Sequence, residues 1–104
     1  MERINGRVIL AKKPFSTHPG DWYLEVHLAV WYHEGSEYKP FELVRWTYNK
    51  QNKSHFWGHY WHTNIEGAVK DYNEAGKIES NVSLEEIKGI LVQANAEMEV
   101  TSGG

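Results

Sequence analysis

The densest chemistry in the sequence lies in His55-x-x-x-His59-x-x-His62, three imidazoles spaced by four and three residues. On a helix that spacing would align all three as zinc ligands. The intervening Phe56, Trp57, Tyr60 and Trp61 favour a strand instead. There His55 and His59 share a face and His62 points away. The helical His-Glu-x-x-His signature is absent. A metal site would therefore have to be assembled across strands, from His27, His33, His59 or Glu25. Imidazoles on a polar sheet face need no metal to be satisfied, so neither a metal nor a cofactor is expected.

Glu25 and Glu42 are the candidates for general acid–base work, since both fall among aromatic residues that can raise carboxylate pKa values; the competing and commoner reading of two Glu on a sheet is solvated strand charges. No serine sits in a nucleophile-elbow context, and there is no phosphate-binding glycine loop or dinucleotide fingerprint. The absence of cysteine excludes disulfides, thiolate zinc sites and cysteine nucleophiles, and suits a reducing cytoplasm. Lys12, Lys13, Lys50 and Lys53 beside aromatic rings are the combination used for single-stranded nucleic acid. The preferred reading is a charged strand edge that blocks sheet-to-sheet pairing. A net charge of −3 gives no global attraction to phosphate backbones, so nucleic acid is not expected as the main partner. No apolar run reaches a membrane span and Met1–Arg7 lacks the apolar segment of a leader, so a cytoplasmic chain without membrane contact is expected.

The elements that must position these residues follow from periodicity. At 104 residues the chain is read as one domain over 1–100, with 101–104 a disordered tail. Val8–Lys12 predicts a short strand, and Trp22–His33 a longer one with strict alternation. Glu34-Gly35-Ser36-Glu37 predicts a tight turn, Tyr38–Tyr48 the returning strand, and Ser54–His62 a fourth strand. Thr63 with Glu66, and Ser83 with Glu86, read as capping boxes opening two helices. Gly76 closes the first helix in the left-handed conformation. Ile65, Ala68, Val69 and Tyr72 form the apolar face of one helix; Ile87, Ile90, Leu91, Ala94 and Met98 form that of the other. The expected fold is α+β: an antiparallel β-meander of about four strands followed by two C-terminal helices packed on the sheet.

A two-residue loop at Gly35-Ser36 sets Val30 opposite Phe41. A four-residue loop over Lys50–Lys53 sets Trp46 opposite Trp57 and Val44 opposite His59. One face then holds Trp22, Leu24, Val26, Leu28, Val30, Tyr32, Phe41, Leu43, Phe56 and Tyr60, an apolar core. Arg45 and Thr47 also fall there, which predicts a bulge near them. The other face holds Tyr23, Glu25, His27, Trp31, His33, Glu42, Trp46, Tyr48, His55, Trp57, His59 and Trp61. Trp and Tyr are the residues most enriched among binding hot spots, so these twelve are the candidate binding residues. The competing reading is that a helix, or the N-terminal strand and loop, folds across this face and makes it packing.

The segment His59-Tyr60-Trp61-His62-Thr63-Asn64-Ile65-Glu66-Gly67-Ala68-Val69-Lys70-Asp71-Tyr72 resembles the strand-to-helix junction of small phage and mobile-element accessory proteins. That resemblance implies a compact protein that binds a host component, as anti-CRISPR and other anti-defence inhibitors do. The expected function is a non-enzymatic protein-binding module using the aromatic–His face. The alternatives are a nucleotide or metal-dependent hydrolytic site on that face, and a homodimer closed by it.

Overall fold

The computed structural model describes residues 2–32, 41–62, 64–79 and 81–103, with backbone alone for 31–32, 41–44, 57–62, 95 and 97–103. Five antiparallel strands run in chain order: β1 (Arg3–Ile4), β2 (Arg7–Pro14), β3 (Leu24–Tyr32), β4 (Phe41–Asn49) and β5 (Ser54–His62). Helices α1 (Ile65–Glu74) and α2 (Leu84–Gly103) follow. The α+β meander is as the patterning predicts, with one strand more. The addition is β1, turned back on β2 by Asn5 (φ 52°) and Gly6 (φ 79°). Asn-Gly with both residues at positive φ is the type I′ hairpin signature.

Alternation in β3 builds the core. Val26, Leu28 and Val30 are fully buried, and Leu24 nearly so. Val26, Leu28 and Val30 cluster with Ala68, Val69 and Tyr72 of α1 and with Ile87 and Ala94 of α2. A register shift between Ile9 and Ala11 lets successive residues Leu10 and Ala11 both reach this core. Trp22 is a correction: its parity predicts the core face, but it lies before β3 and is 62% exposed. The 3₁₀ turn Pro19–Asp21 ends the extended run short of it.

Two register expectations change. Val30 pairs with Leu43 rather than Phe41, and Val44 with Trp61 rather than His59. Both slips are of two residues, so face assignments survive, since side chains alternate with a period of two. The four-residue turn over 50–53 stands, with Asn49 paired to Ser54. The predicted bulge is present: Thr47 pairs with Phe56 and Arg45 with Tyr60, so three residues of β5 face Trp46 alone. Arg45 turns to the helices, where its Nε and Nη2 donate to Asp71 Oδ1 at 3.2 and 3.1 Å. The expected Gly35-Ser36 turn and His33 lie outside the described residues.

Asn64, not Thr63, is the cap of α1: its Oδ1 accepts from the Gly67 amide at 2.7 Å. An Asn side chain competes well for that position, and Thr63 lies outside the described residues. Ser83 caps α2 as expected, its Oγ accepting from the Glu86 amide at 3.1 Å. Gly76 carries the expected positive φ of 78°. Helix α2 continues to Gly103, three residues into the stretch expected to be disordered. Among the described residues no helix is long and apolar enough to cross a membrane.

Candidate functional site

The aromatic–His face lies on the inside of a curled sheet. Curling is visible in contacts between strands that are not neighbours. Adjacent strands lie about 4.8 Å apart, so side chains two strands apart meet only on a concave surface. His27 of β3 reaches His55 of β5, with Nδ1 and Nε2 3.1 Å apart. The Arg7 guanidinium of β2 lies 3.6 Å from the ring centroid of Trp46 in β4. Asn5 Nδ2 donates to the Lys53 carbonyl at 2.8 Å. That bond ties the β1–β2 turn to the β4–β5 turn from opposite sides of the sheet. The N-terminal hairpin is thus the sheet's own curled edge rather than a layer laid across it, and it covers part of the concave face through Arg7.

The face is consequently divided. Its centre is a second, polar core. His27 is fully buried, and Trp46 and Tyr48 retain 8% and 9% of their surface. The His27 ring stacks on Tyr48 with centroids 4.8 Å apart, and His55 packs against Trp46 and Tyr48 at 4.8 and 4.9 Å. These three candidates, His27, Trp46 and Tyr48, are therefore scaffold rather than an open surface. Tyr23, Glu25 and His55 are only partly buried and form the described part of the rim. Trp31, Glu42, Trp57, His59 and Trp61 stand on strands by their backbone, and His33 lies outside the described residues.

One chain of hydrogen bonds runs through the polar core. Glu25 Oε1 lies 3.1 Å from His27 Nε2. A carboxylate only accepts, so His27 Nε2 carries the proton. A neutral His27 then offers Nδ1 as acceptor, and His55 Nε2–H donates to it. The remaining nitrogen, His55 Nδ1, carries no proton in this arrangement; it is buried, with no hydrogen-bond partner among the described residues. Burial lowers the His27 pKa, against the raising effect of Glu25. His55 is lowered to about 3, by burial first and then by the charges of His27 and Arg7. Burial likewise lowers Arg7 to about 10.

This arrangement orients imidazoles without converging them. Among the described residues no three His, Asp or Glu side chains could hold a metal ion. The Glu25 carboxylate is committed to His27, with Lys50 Nζ 4.0 Å from its other oxygen. The expected lysine edge is not assembled either. Lys13 is 4% exposed on the helix side, its ammonium 3.4 Å from the carbonyls of Asn73 and Ile78.

Sequence reasoning missed Arg7 and placed Trp22 wrongly. Trp22 is exposed just before β3, edge-on to Tyr23 with centroids 5.9 Å apart. Lys50 Nζ lies 5.8 Å from its ring. The corner beneath it is fixed by Ser16 Oγ donating to Asp21 at 2.6 Å and by the Gly20 amide donating to His18 Nδ1 at 2.9 Å. The Ser16 bond holds the Asp21 pKa below the usual carboxylate range. The signal for Trp22 was available: Pro19-Gly20-Asp21 immediately before it breaks a strand. On the opposite side, α1 and the segment after it enclose an open groove of about 1030 Å³ lined by Val69, Ile78, Val82 and Leu84 among others. No protein-family model, curated protein or solved structure matches the chain.

Proposed function

We propose that the chain is a non-enzymatic protein-binding module whose contact surface is the rim of the aromatic face, centred on Trp22, Tyr23 and Lys50. The observation that carries this reading is Trp22, 62% exposed on a corner that its neighbours hold in place. A tryptophan held at the surface by ordered neighbours presents large apolar area at little entropic cost. Lys50 beside the ring adds a cation for an acidic or carbonyl-rich partner surface. The buried centre of the face supplies rigidity to the rim. Within this reading, the resemblance of the 59–72 junction to phage accessory proteins supports an inhibitor of a bacterial defence protein.

The test uses the immobilised full chain to capture a partner from host extract, identified by mass spectrometry. Trp22→Ala with Tyr23→Ala should abolish capture of that same protein while the thermal midpoint stays within a few degrees of wild type. Retention of the partner by this folded double variant would overturn the reading. So would a light-scattering mass showing that the rim is closed in a homodimer.

A further inference from the structure

We propose that the Glu25–His27–His55 chain is an acid-released latch, which holds the start of β5 across the concave face at neutral pH and frees it on proton uptake. The chain has one satisfied arrangement of protons. Glu25 accepts from His27 Nε2–H, and His27 Nδ1 accepts from His55 Nε2–H. A proton added to His27 makes Nδ1 a donor, and the link to β5 then survives only if His55 moves its own proton to Nδ1 so that its Nε2 can accept. A proton added to His55 can go only to Nδ1, which is buried without an acceptor among the described residues.

Charges facing the two rings come from every side. Glu25 of β3 and Glu2 of the N-terminal segment favour a cation on His27, whereas Lys12 of β2 opposes it. Arg7 of β2 opposes a cation on His55, and Lys50 lies at Glu25. Tyr48 of β4 packs on both rings. Burial outweighs the carboxylates, so both rings are held neutral in the closed state.

The released unit is small for a topological reason. β5 is an edge strand, paired with β4 alone. Between the 50–53 turn and the register shift it is held by three pairs, Asn49–Ser54, Tyr48–His55 and Thr47–Phe56. His55 reaches past β4 to β3, and just before it the Lys53 carbonyl is held by Asn5 Nδ2. Losing the His55 reach would let residues 54–56 swing about the Asn5–Lys53 tie and uncover His27, Trp46 and Tyr48.

Hydrogen exchange of the intact chain, corrected for intrinsic rates, tests this between about pH 7.5 and about pH 5. Protection of the peptide spanning 50–58 should fall about tenfold or more, with β3 and α1 remaining the better protected at both pH values. His55→Gln keeps a donor for His27 Nδ1 but cannot titrate, and should lose at least half of this response on a logarithmic scale. An unchanged response in His55→Gln, or flat protection in wild type, would overturn the latch. Imidazole ¹⁵N shifts of the wild-type chain give a reading independent of any variant. Both rings should be neutral Nε2–H tautomers at neutral pH. A His55 carrying its proton on Nδ1, or titrating near 6.5 while β5 stays protected, would be equally fatal.

Discussion

Arg7 and Trp46 meet across an intervening strand: the guanidinium of β2 sits 3.6 Å from the indole centroid of β4, with β3 between them. The contact requires curvature and a small residue underneath. Ala29, paired with Ile9 on one side and Val44 on the other, supplies the second and is 2% exposed. Arg7 Nη1 also donates to the Asn5 carbonyl at 2.6 Å, so one side chain joins the N-terminal hairpin to the floor of the concave face.

Arg7→Ala should therefore cost about 1–2 kcal/mol, the range of a partly desolvated cation–π pair. Arg7→Lys should recover less than half of that loss, because an ammonium keeps the charge but not the planar stack. Urea denaturation followed by tryptophan emission separates the two variants. Equal stability of Lys and Arg at this position would show that charge alone matters.

Three glycines make a graded comparison. At Gly76 a Cβ would lie 3.0 Å from the Phe15 carbonyl oxygen and 3.2 Å from Val26 Cγ2, with φ at +78°. Gly76→Ala combines strain with a clash against backbone and should cost about 2 kcal/mol or more. Gly6 has a similar φ of +79° but open space around it, so Gly6→Ala should cost about 1 kcal/mol. Gly89, inside α2 with nothing within 4 Å, should instead gain up to ~1 kcal/mol on substitution by Ala. Thermal midpoints that fail to fall in the order Gly89→Ala, Gly6→Ala, Gly76→Ala would contradict this account.

The same residues show what was legible in the sequence. The parity of β3 separated the helix-covered core from the aromatic face, and two-residue register slips left that separation intact. Arg45 and Thr47, polar residues on an apolar face, mark in the sequence the place of the bulge. The curl was not legible, because it depends on which side chains meet over a strand they do not flank. Hence His27, Trp46 and Tyr48 looked like surface and proved to be interior. Asn5-Gly6 is a legible turn signal, and it marks the hairpin that completes the closure.

Arg45 and Asp71 dock α1 on the sheet through an ion pair in which both side chains retain some solvent, at 14% and 22% exposure. Asp71→Ala leaves the guanidinium without that partner on the helix side and should cost about 1–2 kcal/mol, toward the low end for a buried pair. At this chain length, a loss of 1 kcal/mol lowers the melting temperature by roughly 4–8 °C. Asp71→Asn keeps an acceptor and should lose less. A melting temperature unchanged in Asp71→Ala would mean that apolar contacts alone hold α1.

Acid should destabilise the whole chain through the polar core, and the sign follows from proton counting. The unfolded chain binds protons at His27 and His55 below about 6.5, whereas the folded chain resists them, His55 down to about 3. Between those limits the unfolded state holds more protons, so stability is full above about pH 6.5 and declines as pH falls toward 3. Each proton adds at most ~1.4 kcal/mol per pH unit to the slope, and less for His55 because solvent reaches part of its ring. Asp21, whose lowered pKa acts in the carboxylate range, joins only at the acid end. Denaturant titrations from about pH 8 to about pH 4.5 should show a plateau and then a decline beginning near 6.5. His27→Gln with His55→Gln should flatten that decline even if it lowers the plateau. A decline of equal slope in the double variant would place the acid sensitivity outside this pair of imidazoles.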